Sequence, residues 1–190
     1  SAALLPYVRS IKKKFVLVST GTWSIVFNPF TENPISDDLF SKDTINYMRI
    51  NGKPVKASRI FLGNEYKLQV AKLDKYFGVN DDHHRTVKFD YDTYFEIMQD
   101  FKHCYKWESI EDENMPEKTQ ISYHKYEHAY HQLMIELVLL QIKCIKEALG
   151  ENSIARIYVD GGFSNNDIYI KLLSHHFRDK KLSTTDASLG

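Results

Sequence analysis

Ile157-Tyr158-Val159-Asp160-Gly161-Gly162-Phe163-Ser164-Asn165-Asn166 is the stretch on which the reading of this chain turns. A β-branched and aromatic run ends at an acidic residue and two glycines. Ile168, Tyr169, Leu172, Leu173 and Phe177 then recur three and four apart, the spacing of an amphipathic helix. The order is strand, glycine turn, helix. Glycines let the backbone turn tightly and let a ligand approach main-chain atoms that a Cβ would shield. Ser164, with Asp167 three residues on, is the expected N-cap with an acidic partner in the first turn. Such a junction can seat a nucleotide or simply close a tight connection.

A second glycine turn lies far upstream. Phe15-Val16-Leu17-Val18-Ser19 reads as an apolar strand, Thr20-Gly21 as a two-residue turn, and Thr22-Trp23-Ser24-Ile25-Val26-Phe27 as the returning strand of a hairpin. Ser19, Thr20, Thr22 and Ser24 place four hydroxyls around one glycine. Successive backbone N–H groups in such a turn can form an anion-binding concavity that suits a phosphate. The same residues also suit a polar turn whose threonines serve β propensity.

The composition is that of a globular chain with 43% apolar residues among 190. Lysine plus arginine balances aspartate plus glutamate at 25 each, so no net field recruits nucleic acid or an anionic membrane. Cys104 and Cys144 fall in helical patterns and suit reduced, small apolar side chains. No apolar run approaches the roughly 20 residues that span a bilayer, and the first residues lack a signal peptide's charged region followed by an apolar core. The expected location is cytoplasmic.

Between the two glycine turns, Asn28-Pro29-Phe30 and Glu32-Asn33-Pro34 form a loop. Asn51-Gly52 is a hairpin turn that predicts a third strand and a partial fourth. Pro54 cannot donate to a ladder and is expected on an edge strand. Residues 60–77 carry Leu62, Tyr66, Val70, Leu73 and Phe77 on one helical face, with Gly78 as the stop. Asp81-Asp82-His83-His84-Arg85 is a polar loop, a second helix is predicted over 91–105, and the acidic, Pro116-bearing stretch 108–119 reads as a connection. The longest stripe runs from Tyr126 to Leu149 and stops at Gly150, a buried helix of about six turns. His124, His128 and His131 could share a face of that helix directed away from the stripe, a spacing compatible with a metal but lacking the His-Glu-x-x-His order.

Both ends read as interior to a longer polypeptide. Ser1-Ala2-Ala3-Leu4-Leu5-Pro6-Tyr7 is a helical fragment with little to cap its first turn. At the other end Leu182, Ser183 and Thr184 read as a strand, followed by Asp186 as the N-cap of a helix that does not come. The expectation is one domain, residues 1–190, of a larger protein.

Hairpin, further strands, helices, long helix, strand, glycine turn, helix and strand together argue for an α/β architecture with helices covering a mixed sheet. The arrangement resembles the actin-like ATPase (ribonuclease H-like) domain, a mixed sheet with an N-terminal antiparallel hairpin and flanking helices. Ser19-Thr20-Gly21-Thr22-Trp23-Ser24 resembles the Ser-Gly-Thr-Trp-Ser hairpin of FGGY-family carbohydrate kinases, in particular the rhamnulokinase and fuculokinase branch. Asp160-Gly161-Gly162-Phe163-Ser164-Asn165-Asn166 is similar to that family's Gly-Gly-Gly-Ser-x-Asn adenosine motif, and the ending Thr185-Asp186-Ala187-Ser188-Leu189-Gly190 also matches.

The resemblance implies a C-terminal nucleotide-binding kinase domain that takes ATP with Mg2+ and transfers its γ-phosphoryl group to a hydroxyl of a ketose such as rhamnulose, fuculose or xylulose. It assigns Thr20, Gly21 and Thr22 to the phosphates and Gly161, Gly162, Phe163 and Asn166 to the adenosine. The family's third motif glycine is Phe163 here, and Thr20 stands where the hairpin has a glycine. Phe163 would therefore stack on the adenine or narrow its pocket. The catalytic aspartate is expected just upstream of Ser1, and the sugar is expected to bind through a preceding domain, so the isolated chain is expected to be inactive. The implied partners are ATP or ADP and the sugar, with no nucleic acid and no membrane; a homodimer is compatible with the resemblance.

Two other readings stay open on the residues alone. One is a non-catalytic actin-like module that uses nucleotide to control assembly. The other is an NAD-dependent α/β oxidoreductase with Gly161-Gly162 at the dinucleotide, against which the turn lacks a full G-x-G-x-x-G pattern.

Overall fold

Four consecutive apolar residues, Phe15 to Leu17 and Val18, can be accommodated in a strand only where both sheet faces are covered, and the structure puts them at the sheet's interior. The computed structural model describes residues 13–31, 44–48, 54–110 and 123–185. Its strands are β1 (Phe15–Thr20), β2 (Ser24–Asn28), β3 (Thr44–Met48), β4 (Pro54–Ile60), β5 (Arg156–Gly161) and β6 (Lys181–Thr184). Its helices are α1 (Leu62–Phe77), α2 (Tyr91–Gln99), α3 (Tyr126–Leu149) and α4 (Asp167–His176).

The strands form one mixed sheet in the order β3-β4-β2-β1-β5-β6. β1 and β2 are an antiparallel hairpin, whereas β5 lies parallel beside β1 and β6 parallel beside β5, with α4 as the crossover between them. Alternation along β1 divides the core. Val16 and Val18 join the large cluster under the helices, while Phe15 and Leu17 join Phe27, Val55 and Ala57 in a smaller cluster.

The hairpin turn has three residues, 21–23, because Thr20 remains in the ladder opposite Ser24 instead of entering the turn. Pro54 also departs from expectation. β4 is an inner strand, between β3 and β2, and β3 forms the edge. Proline is accommodated because it is the first residue of β4, where the pairing with β2 has not yet begun: β2 reaches only to Lys56, opposite Asn28. The Asn51-Gly52 turn, the fragment 1–7, the connection 111–119 and Asp186 lie outside the described residues.

α3, 24 residues long, lies across β2 and β4 and also packs on α1, α2 and α4. Its C-terminal half is tied to the sheet by polar contacts: Ser24 Oγ donates to Gln141 Oε1, Ser58 Oγ to Glu147 Oε2 (2.9 Å), and Asn28 Nδ2 to the Ala148 carbonyl (3.0 Å). α1 ends as its sequence requires, with Gly78 in the left-handed region (φ 65°) and its N–H on the Asp74 carbonyl.

α2 is shorter than predicted, stopping at Gln99 instead of 105. The chain beyond it is held extended by buried side chains of other helices. Glu136 of α3 accepts from the N–H of Cys104 (2.7 Å), and Gln132 Nε2 donates to the Lys102 carbonyl (2.8 Å). Tyr105 and Trp107 alternate inward and stack on one another, a period of two that replaces the helical one. Cys104 accordingly sits in this extended segment, and Cys144 lies buried in α3, with no disulfide between them.

Candidate functional site

Because β1 and β5 are parallel neighbours, their C-terminal ends lie side by side, with Thr20 opposite Gly161. The two glycine turns, about 140 residues apart in sequence, therefore leave the sheet at the same place. In open α/β sheets this edge, outside the carboxyl ends of the strands, is where ligands sit.

Thr20 joins the turns directly. It is buried at 4% exposure, its hydroxyl donates to the Asp160 carbonyl (2.6 Å), and the N–H of Phe163 donates to that same hydroxyl (3.0 Å). Gly161 has φ 88°, and a Cβ there would lie 1.9 Å from the Thr20 carbonyl oxygen, so only glycine fits between the strands at this point.

A cleft of about 1150 Å³ opens above this junction. Gly21 and Thr22 from the first turn and Gly162, Phe163, Asn165 and Asn166 from the second line it. α1 contributes Gly63, Tyr66, Lys67, Val70 and Asp74, and the segment from Gly78 to Lys88 completes the wall. A Cβ built on Gly162 meets nothing within 4 Å, so this glycine leaves open space at the cleft margin.

The residues singled out from sequence thus divide into two sets. Gly21, Thr22, Gly162, Phe163 and Asn166 line the cleft, whereas Thr20 and Gly161 lie beneath it and hold its floor. Asn166 has structural duties as well. Its Oδ1 accepts from the Tyr169 N–H and caps α4, and its Nδ2 donates to the Tyr130 hydroxyl (2.9 Å). Asn166, and not Ser164, is therefore the N-cap. Ser164 sits inside a short 3-10 turn, Gly162–Asn165, and its hydroxyl donates back to the Gly161 carbonyl. The Phe163 ring is largely buried, stacked on Tyr169 (4.7 Å between centroids) and edge-on to Tyr66 (5.0 Å).

Gly63 and Tyr66 also line the cleft, beyond the residues that the two glycine turns point to. Gly63 is the close-approach glycine of α1: a Cβ there would stand 1.9 Å from the Gly21 carbonyl oxygen. An isolated glycine in the first turn of a helical pattern was its available signal. The Asn64 N–H also donates to the Thr22 carbonyl (3.1 Å), which seats the hairpin tip on the start of α1. Tyr66 shares a hydrogen bond with Tyr130 (2.8 Å), and Tyr126 donates to Asp74 (2.7 Å). Burial, reinforced by Tyr130, pushes the Tyr66 hydroxyl far above the ordinary tyrosine range, so it stays an uncharged hydrogen-bonding group.

The cleft wall carries Lys67, Lys75, Arg85 and Lys88 against Asp74, Asp81 and Asp167, four cations to three carboxylates. Asp74 is engaged by Tyr126 and Asp167 by the Phe89 N–H and Lys171, and on the cationic side Arg85 pairs with Asp82 (3.2 Å). The wall keeps a small cationic excess, compatible with an anionic ligand.

The helical histidines are placed differently from expectation. His131 faces inward and is buried, its Nδ1 on the Glu127 carbonyl (2.7 Å) and its Nε2 accepting from the Asp90 N–H (2.9 Å). His128 lies 4.0 Å from Glu96, and His124 precedes the helix. Among the described residues no group of three or more His, Cys, Asp or Glu is arranged to hold a metal ion, and no helix is long and apolar enough to cross a membrane.

No protein-family model and no curated protein matches the sequence. Solved structures do match. A carbohydrate kinase from Novosphingobium aromaticivorans superposes with a TM-score of 0.66 at 17% identity, covering 97% of this chain and 41% of that one. The chain has the carbohydrate kinase fold. A xyloylose kinase from Brucella ovis gives a TM-score of 0.58 at 11% identity over 92% of this chain and 36% of its own. This chain therefore spans less than half the length of either kinase. The shared architecture is the α/β, actin-like ATPase sheet with its N-terminal antiparallel hairpin and flanking helices. The hairpin at the centre of the sheet also separates this kinase fold from the parallel sheet of a dinucleotide-binding oxidoreductase.

Proposed function

We propose that this chain is the nucleotide-binding half of a carbohydrate kinase of the FGGY type. The observation that carries the reading is the convergence of the two glycine turns on one cleft at the carboxyl ends of β1 and β5. At about 1150 Å³ the cleft lies just above the roughly 300–1,000 Å³ of most small-molecule and cofactor sites, room enough for a nucleotide.

In this reading Gly21 and Thr22 receive the terminal phosphates of ATP, Thr22 through its hydroxyl or backbone. Gly162 and the cleft face of the 162–166 turn receive the adenosine. Thr20 and Gly161 hold the two half-sites in register, and the Phe163 ring, committed to Tyr169 and Tyr66, narrows the pocket without turning its face to the base. Magnesium, when bound with the nucleotide, would offset phosphate charge. The described residues form no carboxylate cluster for it, so the ion fits this chain as a companion of the phosphates. The sugar and the aspartate that accepts its hydroxyl proton belong to a preceding domain, and the 190-residue chain binds nucleotide without turning it over. Which ketose is used, rhamnulose, fuculose or xylulose, is set by that domain.

Calorimetric titration of the chain with Mg-ATP, Mg-ADP and NADH tests the reading. Adenine-nucleotide binding that Gly162→Val abolishes is expected, with no sugar-dependent ADP release until the polypeptide is extended upstream. NADH binding in preference to ATP, or ADP release from this chain with a ketose, would overturn it.

A further inference from the structure

The Thr20 hydroxyl bonds both the end of β5 and the turn beyond it, and it stands at the base of the hairpin tip. It donates to the Asp160 carbonyl and accepts from the Phe163 N–H, while the Thr20 carbonyl closes against Gly161 at a distance that admits no Cβ. The group is buried, so water cannot replace either bond. Together with the Asn64 N–H that seats the tip on α1, this hydroxyl determines how far the Gly21-Thr22 tip stands from the Gly162 turn.

We infer that Thr20 is a positioning residue that sets the spacing between a phosphate half-site at Gly21-Thr22 and a nucleoside half-site at Gly162, and that it selects ligands which span both. The inference rests on the nucleotide reading above and reassigns Thr20 from phosphate contact to the link between the turns. A ligand joined across two half-sites gains from an effective local concentration only when their separation matches its own length. Each fragment alone is indifferent to that separation. Loss of the hydroxyl leaves the Phe163 N–H and the Asp160 carbonyl short of a partner and frees the turns to drift.

The test compares ADP, adenosine and inorganic pyrophosphate on the full chain carrying wild-type Thr20, Thr20→Val or Thr20→Ser. Thr20→Val keeps the shape and removes the hydroxyl. It is expected to weaken ADP by roughly tenfold or more while adenosine and pyrophosphate each change by less than about threefold, and Thr20→Ser restores ADP binding. Equal weakening of all three ligands, or no weakening of ADP, would overturn the inference. Should Thr20→Val not fold, amide exchange in the wild type decides. ADP, which spans both half-sites, should slow exchange of the Phe163 N–H, bonded to the Thr20 hydroxyl, more than adenosine or pyrophosphate does, and equal slowing by all three refutes the link. If wild-type chain binds none of the three ligands, the nucleotide reading itself fails, an outcome distinct from the loss of selectivity.

Discussion

The first turn of α1 is seated so closely beneath the hairpin tip that a Cβ on Gly63 would stand 1.9 Å from the carbonyl oxygen of Gly21 and 3.2 Å from the Cα of Thr22. Both neighbours are backbone, so neither can swing aside as a side chain would. Gly63→Ala must push α1 and the tip apart, and overpacking of this kind costs about 1–3 kcal/mol. The expected outcome is a lower urea midpoint with an unchanged slope, together with loss of nucleotide affinity at temperatures where the variant is still folded. An unchanged midpoint would mean that the tip yields freely and that the contact does not shape the cleft.

The adjacent glycines 161 and 162 should respond in opposite ways. Gly161 has positive φ and its Cβ would collide with the Thr20 carbonyl, so Gly161→Ala combines backbone strain with overlap and is expected to cost at least about 2 kcal/mol. Gly162 has neither constraint, and Gly162→Ala should leave stability within about 0.5 kcal/mol. Gly162→Val should nevertheless weaken nucleotide by about tenfold or more, some 1.4 kcal/mol, because the added methyl groups enter the cleft. Thermal unfolding and calorimetry on the three variants separate the two effects. A folded, tightly binding Gly162→Val protein would exclude that face of the cleft from the ligand.

Glu65 governs the segment after α2. This carboxylate is fully buried, with Oε1 accepting from Gln69 Nε2 (2.7 Å) and Oε2 from the N–H groups of Glu108 and Ser109 and the Ser109 hydroxyl. Glu65→Ala strands these donors and is expected to cost about 2–4 kcal/mol. Glu65→Gln is no rescue, since its amide NH2 must face N–H donors on one side or the other. Amide exchange should show the N–H groups of Glu108 and Ser109 losing protection first, while β1 and β5 keep theirs. Uniform loss across the sheet would place Glu65 in the global core.

The local signals in the sequence were read where one element determines its own structure. The apolar run of β1, the glycine stop of α1 and the stripe of α3 all appear at or within two residues of their expected places. The strand, glycine turn and helix at 156–176 and the hairpin at 15–28 were legible for the same reason. What the residues did not reveal depends on partners distant in the chain. α2 stops early because Gln132 and Glu136, over thirty residues on, hold the backbone extended. Thr20 reads as a turn hydroxyl until β5 is set beside it, and Gly63 as a mild helix weakener until Gly21 lies on top. His131 looks like one of a trio directed away from the apolar stripe until the Asp90 N–H is found on its ring.

His131 makes the fold sensitive to acid near neutrality. Nε2 accepts from the Asp90 N–H, so the proton of the neutral ring is on Nδ1, donated to the Glu127 carbonyl. Protonating Nε2 would set a donor against a donor inside the core. Burial holds the imidazole below its ordinary value of 6.5, with His128 adding to the effect and Asp90 and Glu127 opposing it. The unfolded chain therefore binds the proton first, and stability present above pH 6.5 is lost as pH falls from there through the folded value. His176, also lowered mainly by burial, acts in the same sense, whereas Asp90, lowered by its bond to Thr93, contributes only in stronger acid. Urea unfolding from pH 8 to pH 5 should show a falling midpoint, and His131→Gln, which can keep an acceptor toward Asp90 without titrating, should flatten that fall in part. A pH profile identical in wild type and variant would show that His131 does not titrate across the folding transition.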